Sequence, residues 1–398
     1  MSQKNNIPKE RLWNGNYIKV WLANFMIFFS FMLLTPLLPT YLSETFHADK
    51  DTIGMVLSGY TMTALIIRAL SGYMVDRFPR RVVLVLSYAF FCMLFAGYLV
   101  AGTLLLFAIV RTLHGAPFGA TTVSNSTVAI DVLPSSRRAE GIGFYGLSNN
   151  VATAISPTVA LLVYGVCDNF QVLFWLAFAT SAIGLALTAS VKLPHRPMVK
   201  TSSRLSLDRF ILFKGWSQGL SVVCFAFSYG ILVTYIAIYG KEELGITSGT
   251  GLFFALLAIG LICSRLIGSR TLRQGKIVQN ASAGVIIAMV GYLIFATIHN
   301  KVGYFGAAII IGLGNGLMFP AFQTMFINLA TNDQRGTANS TMLVSWDIGM
   351  GLGILIGGIA AEHLGYHAAF WSAWIVNIAG ITTFFIYGKR LFLRGRLR

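Results

Sequence analysis

Apolar residues run along this chain in long blocks, each bounded by turn residues or charges. A helix crossing about 30 Å of hydrocarbon needs about 20 mostly apolar residues. Windows of that length occur at 20–42, 52–75, 82–101, 104–130, 139–165, 170–191, 210–239, 247–269, 277–298, 302–330, 336–361 and 368–388. Twelve such windows predict an all-α polytopic membrane protein. The narrowest separation is at residues 101–103, where the third and fourth windows nearly fuse. A polar, basic lead (Lys4, Lys9, Arg11, Lys19) precedes the first window as it would in a secretory signal. The apolar run is too long for a signal core, however, and no small-residue cleavage site precedes the second window, so the first is read as a retained helix.

Composition strengthens this picture. The chain is 56% hydrophobic and 11% charged, with a mean hydropathy of +0.70, more apolar surface than a soluble core of 398 residues could hide. The formal charge of +16 raises the question of nucleic acid, and its placement answers it. With the amino terminus cytoplasmic, 24 of the 30 Lys and Arg fall on the inner side. Lys50, Lys241 and Lys301 fall outside, and Arg68, Arg111 and Arg265 lie within the spans. The positive-inside bias therefore predicts that both termini are cytoplasmic. The inner basic residues are expected to meet the anionic headgroups of a lipid bilayer, and no nucleic-acid partner is expected. Cys92, Cys167, Cys224 and Cys263 show no disulfide frame or metal-ligand spacing and read as small apolar residues.

The longest internal polar stretch, 192–214, carries Lys192, Arg196, Lys200, Arg204, Arg209 and Lys214 with Pro194 and Pro197. It predicts a cytoplasmic linker between an N-terminal six-helix bundle (1–191) and a C-terminal one (215–398). Weak self-similarity relates the halves. Setting Arg138 against Arg335 brings Ser148 onto Ser345, Gly115 onto Gly312, Gly119 onto Gly316 and Arg68 onto Arg265. Duplicated bundles of this kind are a known transporter plan, with the ligand site near the midplane between them.

One insert is out of keeping with its oily surroundings: SGYMVDRFPRR, residues 71–81, between the second and third windows. It resembles the loop signature of the major facilitator superfamily, Gly-x-x-x-Asp-Arg-x-Gly-Arg-Arg, which falls here on Gly72, Asp76, Arg77, Arg80 and Arg81, with Pro79 in place of the usual Gly. A degenerate copy in the second half (Gly268, Arg270, Arg273, Gly275, Lys276) lacks the Asp. RTLHGAPFG, residues 111–119, is similar to the family's Arg-containing motif of the fourth helix. Gly146 with Ser156 and Pro157 resembles, in part, the fifth-helix motif of exporters. The resemblance implies two pseudo-symmetric six-helix bundles of the facilitator fold, close to the drug and sugar efflux branch. It also pairs Asp76 with the start of the eleventh helix near Gly336, with Arg80 or Arg81 reaching Asp131 or Glu140. Such inner-side contacts would hold the halves together only while the cavity opens outward, which makes the loop a latch. The plain alternative is an ordinary positive-inside loop.

Ionisable groups inside the spans are the second signal, because each costs about 2.5–3.5 kcal/mol on insertion scales unless it faces water or a partner. Asp347 is the only acid deep inside a predicted span. It lies about 16 Å in from Gly336 at 1.5 Å per residue, and Arg68 and Arg265 fall at comparable depth. Asp347 is expected to be a protonation or substrate-cation site with Arg68 or Arg265 beside it; a static buried ion pair is the alternative. Arg111 and His114, one turn apart on the fourth helix, could bind an anionic group or relay a proton, or His114 could hydrogen-bond a carbonyl. Tyr60, Asn125, Asn149, Asn150, Tyr229, Tyr235, Asn315, Gln323 and Trp346 are candidate cavity or packing residues. The GxGxG string within 311–320 lies in an apolar helix without a preceding strand, so it reads as a packing segment rather than a nucleotide loop.

These features point to a secondary active transporter that moves a small organic solute by alternating access. It is expected to work as a monomer in the plasma membrane, the inner membrane in a bacterium. With no Walker sequence and no cofactor motif, a proton gradient is the expected energy source and none of the chemistry of an enzyme is expected. Efflux is favoured by the fifth-helix motif. A sugar or organic-acid uptake permease is the nearest rival, and a polytopic enzyme or a sensor is more distant, since no nucleophile partners the six His residues and no extramembrane domain is predicted.

Overall fold

A computed structural model describes residues 11–35, 37–48, 50–193, 210–246 and 250–397. The predicted linker therefore lies mostly outside the described residues. The helices in chain order are α1 (Gly15–Leu34), α2 (Leu38–Phe46), α3 (Lys50–Arg77), α4 (Arg80–Val100), α5 (Leu104–Val132), α6 (Arg138–Cys167) and α7 (Phe170–Ala189). They continue as α8 (Trp216–Glu242), α9 (Thr250–Arg273), α10 (Ile277–Thr297), α11 (Lys301–Leu329), α12 (Arg335–Leu364), α13 (Tyr366–Thr383) and α14 (Lys389–Gly395). Twelve are long and apolar enough to cross a bilayer, and no strand occurs among the described residues.

Local chemistry sets several boundaries. Asn14, Thr103, Asn169 and Asn300 cap their helices by accepting a backbone N–H through the side chain. Thr103 thereby separates α4 from α5 where the two windows nearly merge in sequence. The first window is not one helix. α1 ends at Leu34, and a nine-residue helix, α2, with Pro39 in its first turn, follows it.

The repeat is visible residue by residue. An offset of 197, the difference between Arg335 and Arg138, carries α4 onto α10, α5 onto α11 and α6 onto α12, with both ends of each pair coinciding. Each bundle has its own aromatic core, built around Phe31, Tyr60, Phe91, Phe95 and Phe118 in the first and around Tyr239, Phe253, Phe295 and Phe370 in the second. A third cluster joins them, setting Ile130 and Ile142 against Leu272, Phe326, Ala338 and Met342. It lies at the end of the molecule that carries Asp76. There α12 is buried on every side from Arg335 to Met342, whereas past Ile348 its buried residues are mainly the glycine stripe Gly349, Gly353 and Gly357. On α6 the buried set likewise thins to Ala152, Ser156 and Ala160. The bundles thus close at the Asp76 end and part at the other, leaving a cleft between them.

Candidate gate and transport site

Two crossings close the molecule. In the first, α3 meets α12. Gly72 and Gly336 allow the backbones to touch: a methyl on Gly72 would sit 2.9 Å from the Gly336 carbonyl oxygen and 2.7 Å from the Ser340 Cβ. This closeness puts the Asp76 carboxylate on the N-terminus of α12, where it accepts from the Gly336 N–H at 2.8 Å, the Thr337 N–H at 2.7 Å and the Thr337 hydroxyl at 2.9 Å. Charge, helix dipole and unsatisfied first-turn N–H groups all favour the contact. Arg80 lies behind it, 3.2 Å from Asp76 and bonded to Asp131, and Arg335 reaches Asp131 from α12 at 2.8 Å. Two acids and two arginines, each at most 13% exposed, form one network.

Deeper along the same crossing, Arg68 pairs with Asp347 and donates to Thr122 at 3.3 Å, while the Ser340 hydroxyl donates to the Arg68 carbonyl at 2.5 Å. Arg68 is buried and the Asp347 side chain is 24% exposed, so the pair lies on the floor of the cleft. Withdrawing these charges from water carries a desolvation cost that their mutual pairing, the Thr122 contact and the partial exposure of Asp347 offset. Below it, Gln323 donates to Asn339 at 2.8 Å, and Asn339 donates to Ser126. This polar seam is sealed while the crossing holds.

The second crossing joins α6 to α9. Arg265 does not approach Asp347. Its Nη1 donates to the Gly143 carbonyl at 2.6 Å, and Gly146 leaves room for the guanidinium, which a methyl there would overlap. Glu140 is not reached by Arg80 or Arg81 either. It bonds Arg137 at 2.9 Å, with Arg273 of α9 at 4.0 Å, while Arg81 donates to the Ala189 carbonyl at 2.7 Å. Arg77 donates to the Tyr73 hydroxyl at 2.6 Å.

Arg111 and His114 share a face through an intermediary that sequence reasoning missed. The Tyr98 hydroxyl lies 2.9 Å from His114 Nδ1 and 3.4 Å from Arg111 Nη1. The Arg111 guanidinium sits 4.4 Å from the centre of the Tyr60 ring and 5.1 Å from that of Phe31, an arrangement that stabilises a desolvated cation. His114 is wrapped by Phe91, Phe95 and Tyr98 inside the first bundle.

The cavity candidates separate into groups. Trp346, half-buried beside Asp347, meets Tyr229 and Phe319 at 5.5 and 5.1 Å between ring centres. Asn150 is half-buried on α6. Asn125 instead bonds Val20 and Tyr145 within the first bundle. Gln323 belongs to the sealed seam, Asn315 faces Tyr292 between α10 and α11, and Tyr235 donates to the Ile354 carbonyl at 2.7 Å. Arg335 and Asn339 were not foreseen, although Arg335 was legible as the repeat partner of Arg138.

Two helical bundles pinned at one end and parted at the other, with an ion pair between them on the cleft floor, define a membrane transporter of the alternating-access class. The chain matches the Major Facilitator Superfamily over residues 20–353 and again over 307–394, and it belongs to that family. It is 21% identical to the staphylopine export protein of Staphylococcus aureus over 92% of each chain. It is also 21% identical to multidrug resistance protein 1 of Bacillus subtilis, over 86% of this chain and 89% of the other, and 22% identical to quinolone resistance protein NorA of S. aureus, over 92% and 95%. Among solved structures it is similar to the human organic anion transporter MFSD10 (TM-score 0.81, 14% identity, 93% and 98% covered). It is similar also to FucP in its outward conformation (0.77, 15%, 94% and 99%).

Proposed function

We propose that the chain is a proton-coupled exporter of a small organic solute, working as a monomer in the plasma membrane with both termini cytoplasmic. The positive-inside bias makes the Asp76 end the cytoplasmic one, so that the cleft opens outward. The basic loops there rest against anionic headgroups, and residues 192–214 connect bundles 1–191 and 215–398. Export is supported by the similarity to an export protein and two resistance proteins. The observation that carries the coupling is the Arg68–Asp347 pair between the bundles: protonating Asp347 would dissolve this ion pair at the cleft floor, and with it a reason for the crossing to stay shut. The proton gradient is the energy source, and no cofactor takes part.

Flux of radiolabelled solutes into inside-out and right-side-out vesicles, with and without a pH gradient, tests this. Gradient-dependent accumulation in inside-out vesicles supports export. Accumulation only in right-side-out vesicles would replace it with uptake.

A further inference from the structure

The two crossings keep the same arginine but not the same acid. The offset of 197 that puts Arg265 on Arg68 also puts Asn150 on Asp347. Arg265 is 6% exposed, its Nη1 takes a backbone carbonyl, and its Nε has no acceptor. Gly143, Gly146 and Asn150 lie at i, i+3 and i+7, one face of α6, so the amide stands on the face that holds the guanidinium. Asn150 Nδ2 is a second buried donor without an acceptor. Among the described residues, ion pairs engage Arg68, Arg80, Arg137, Arg273 and Arg335, and none engages Arg265 or Arg111. The interior of the spans thus holds three buried guanidinium groups and one carboxylate. Two orphaned donors, one of them cationic, thus stand along the same face of α6, where the repeat has lost its acid.

We propose that the missing negative charge is brought by the cargo: the transported solute is an organic anion whose carboxylate or comparable acidic group docks on Arg265 and Asn150. The guanidinium fork matches a carboxylate in two hydrogen bonds, and the low-dielectric surroundings strengthen them. Phe319, next to Pro320 that faces Gly143, meets Trp346 edge-on and supplies an apolar wall for the rest of the molecule. A cationic drug would face an uncompensated positive charge at this position. The inference rests on the transporter reading above and names its substrate class.

Two measurements test it. In the first, the purified full-length protein is melted as wild type and as Asn150→Asp. A carboxylate restored opposite Arg265 raises the melting temperature, whereas a value at or below that of the wild type overturns the claim that Arg265 lacks a counter-charge. In the second, wild-type proteoliposomes under a pH gradient are offered arylcarboxylates and dicarboxylates, including 2-naphthoate, and size-matched quaternary ammonium dyes, including ethidium. Anion transport is expected, lowered about tenfold or more in Arg265→Gln, a loss of at least one hydrogen-bonded charge pair, and partly restored in Arg265→Lys. Transport confined to the cations overturns the anionic cargo and leaves the transporter standing. If no solute of either charge moves, the transporter reading fails, and the melting comparison alone decides whether Arg265 awaits an anion.

Discussion

The α3·α12 and α6·α9 crossings are related by the repeat and both join the halves, yet acids grip across only the first at short range. In the second, Glu140 bonds Arg137 beside it and leaves Arg273 of α9 at 4.0 Å. Across the offset of 197, Asp76 becomes Arg273, Asp131 becomes Asn328 and Asp347 becomes Asn150. Gly72 and Gly336, which let the backbones touch in the first crossing, become Ser269 and Ala139 in the second. The consequence is measurable in the contacts. Asp76 accepts three hydrogen bonds from α12 within 2.9 Å, whereas Arg273, with a side chain 49% exposed, stands 4.0 Å from Glu140. A duplicated architecture has therefore been specialised: one crossing carries a buried charge network, and the other carries in Arg265 a cation with no acid beside it among the described residues. The second is held by the Arg265 bond to the Gly143 carbonyl and by the packing of Ile142 with Leu272 rather than by ion pairs at close range.

The largest test of that division is Asp347→Asn. Removing one partner of a buried pair costs about 3–5 kcal/mol, toward the low end here because Asp347 is 24% exposed. Gradient-driven flux in proteoliposomes is expected to fall to background. The double variant Arg68→Gln, Asp347→Asn removes both charges, so thermal stability should return without coupling. Undiminished gradient-driven flux in the single variant would take Asp347 out of the mechanism. Next in size is Asp76→Asn, which keeps the shape but loses charge-assisted bonds worth about 1.5–3 kcal/mol, or about a 10- to 150-fold shift between closed and open forms. A cysteine at Ser126, buried in the seam, reports this by its labelling rate from the Asp76 end in a background lacking Cys167 and Cys263. No acceleration would mean that Asp76 is not the anchor.

How much of this was legible in the sequence depends on the range of the interaction. Spans follow from local hydropathy, and all twelve were readable, although the break between α1 and α2, where Pro36 and Pro39 stand, is masked by an apolar run that continues to Leu42. Asp76 and Gly336 were placed through family resemblance, and Asp347 was conspicuous as a lone acid in hydrocarbon. Which arginine it meets was not readable. Arg68 and Arg265 lie at equal depth by helical rise, and only the crossing of α3 with α12 decides between them. Asn125 and Gln323 show the same limit, since an amide in an apolar helix looks alike whether it faces a cleft or bridges two helices. The asymmetry of the crossings was latent in the repeat register. Reading it required knowing that the matched positions face one another across the gate.

Within the second crossing, Gly146→Ala is expected to matter more than Gly143→Ala. A methyl at Gly146 overlaps the Arg265 guanidinium and pushes this flexible end off the Gly143 carbonyl, a loss of about 1 kcal/mol, whereas one at Gly143 finds Pro320 and Leu272 at 3.9 and 4.0 Å, ordinary contact. Equal melting temperatures for the two would place the guanidinium elsewhere. The smallest effect belongs to Arg273→Gln. Its pairing with Glu140 is long and half in solvent, the kind that contributes about 0–1 kcal/mol, and Arg137 remains to satisfy the acid at 2.9 Å. The Ser126→Cys labelling rate should therefore change by no more than about fivefold, far less than for Asp76→Asn. A change as large as that of Asp76→Asn would show that both crossings bear the latch, and the specialisation argued from their unequal acids would not hold.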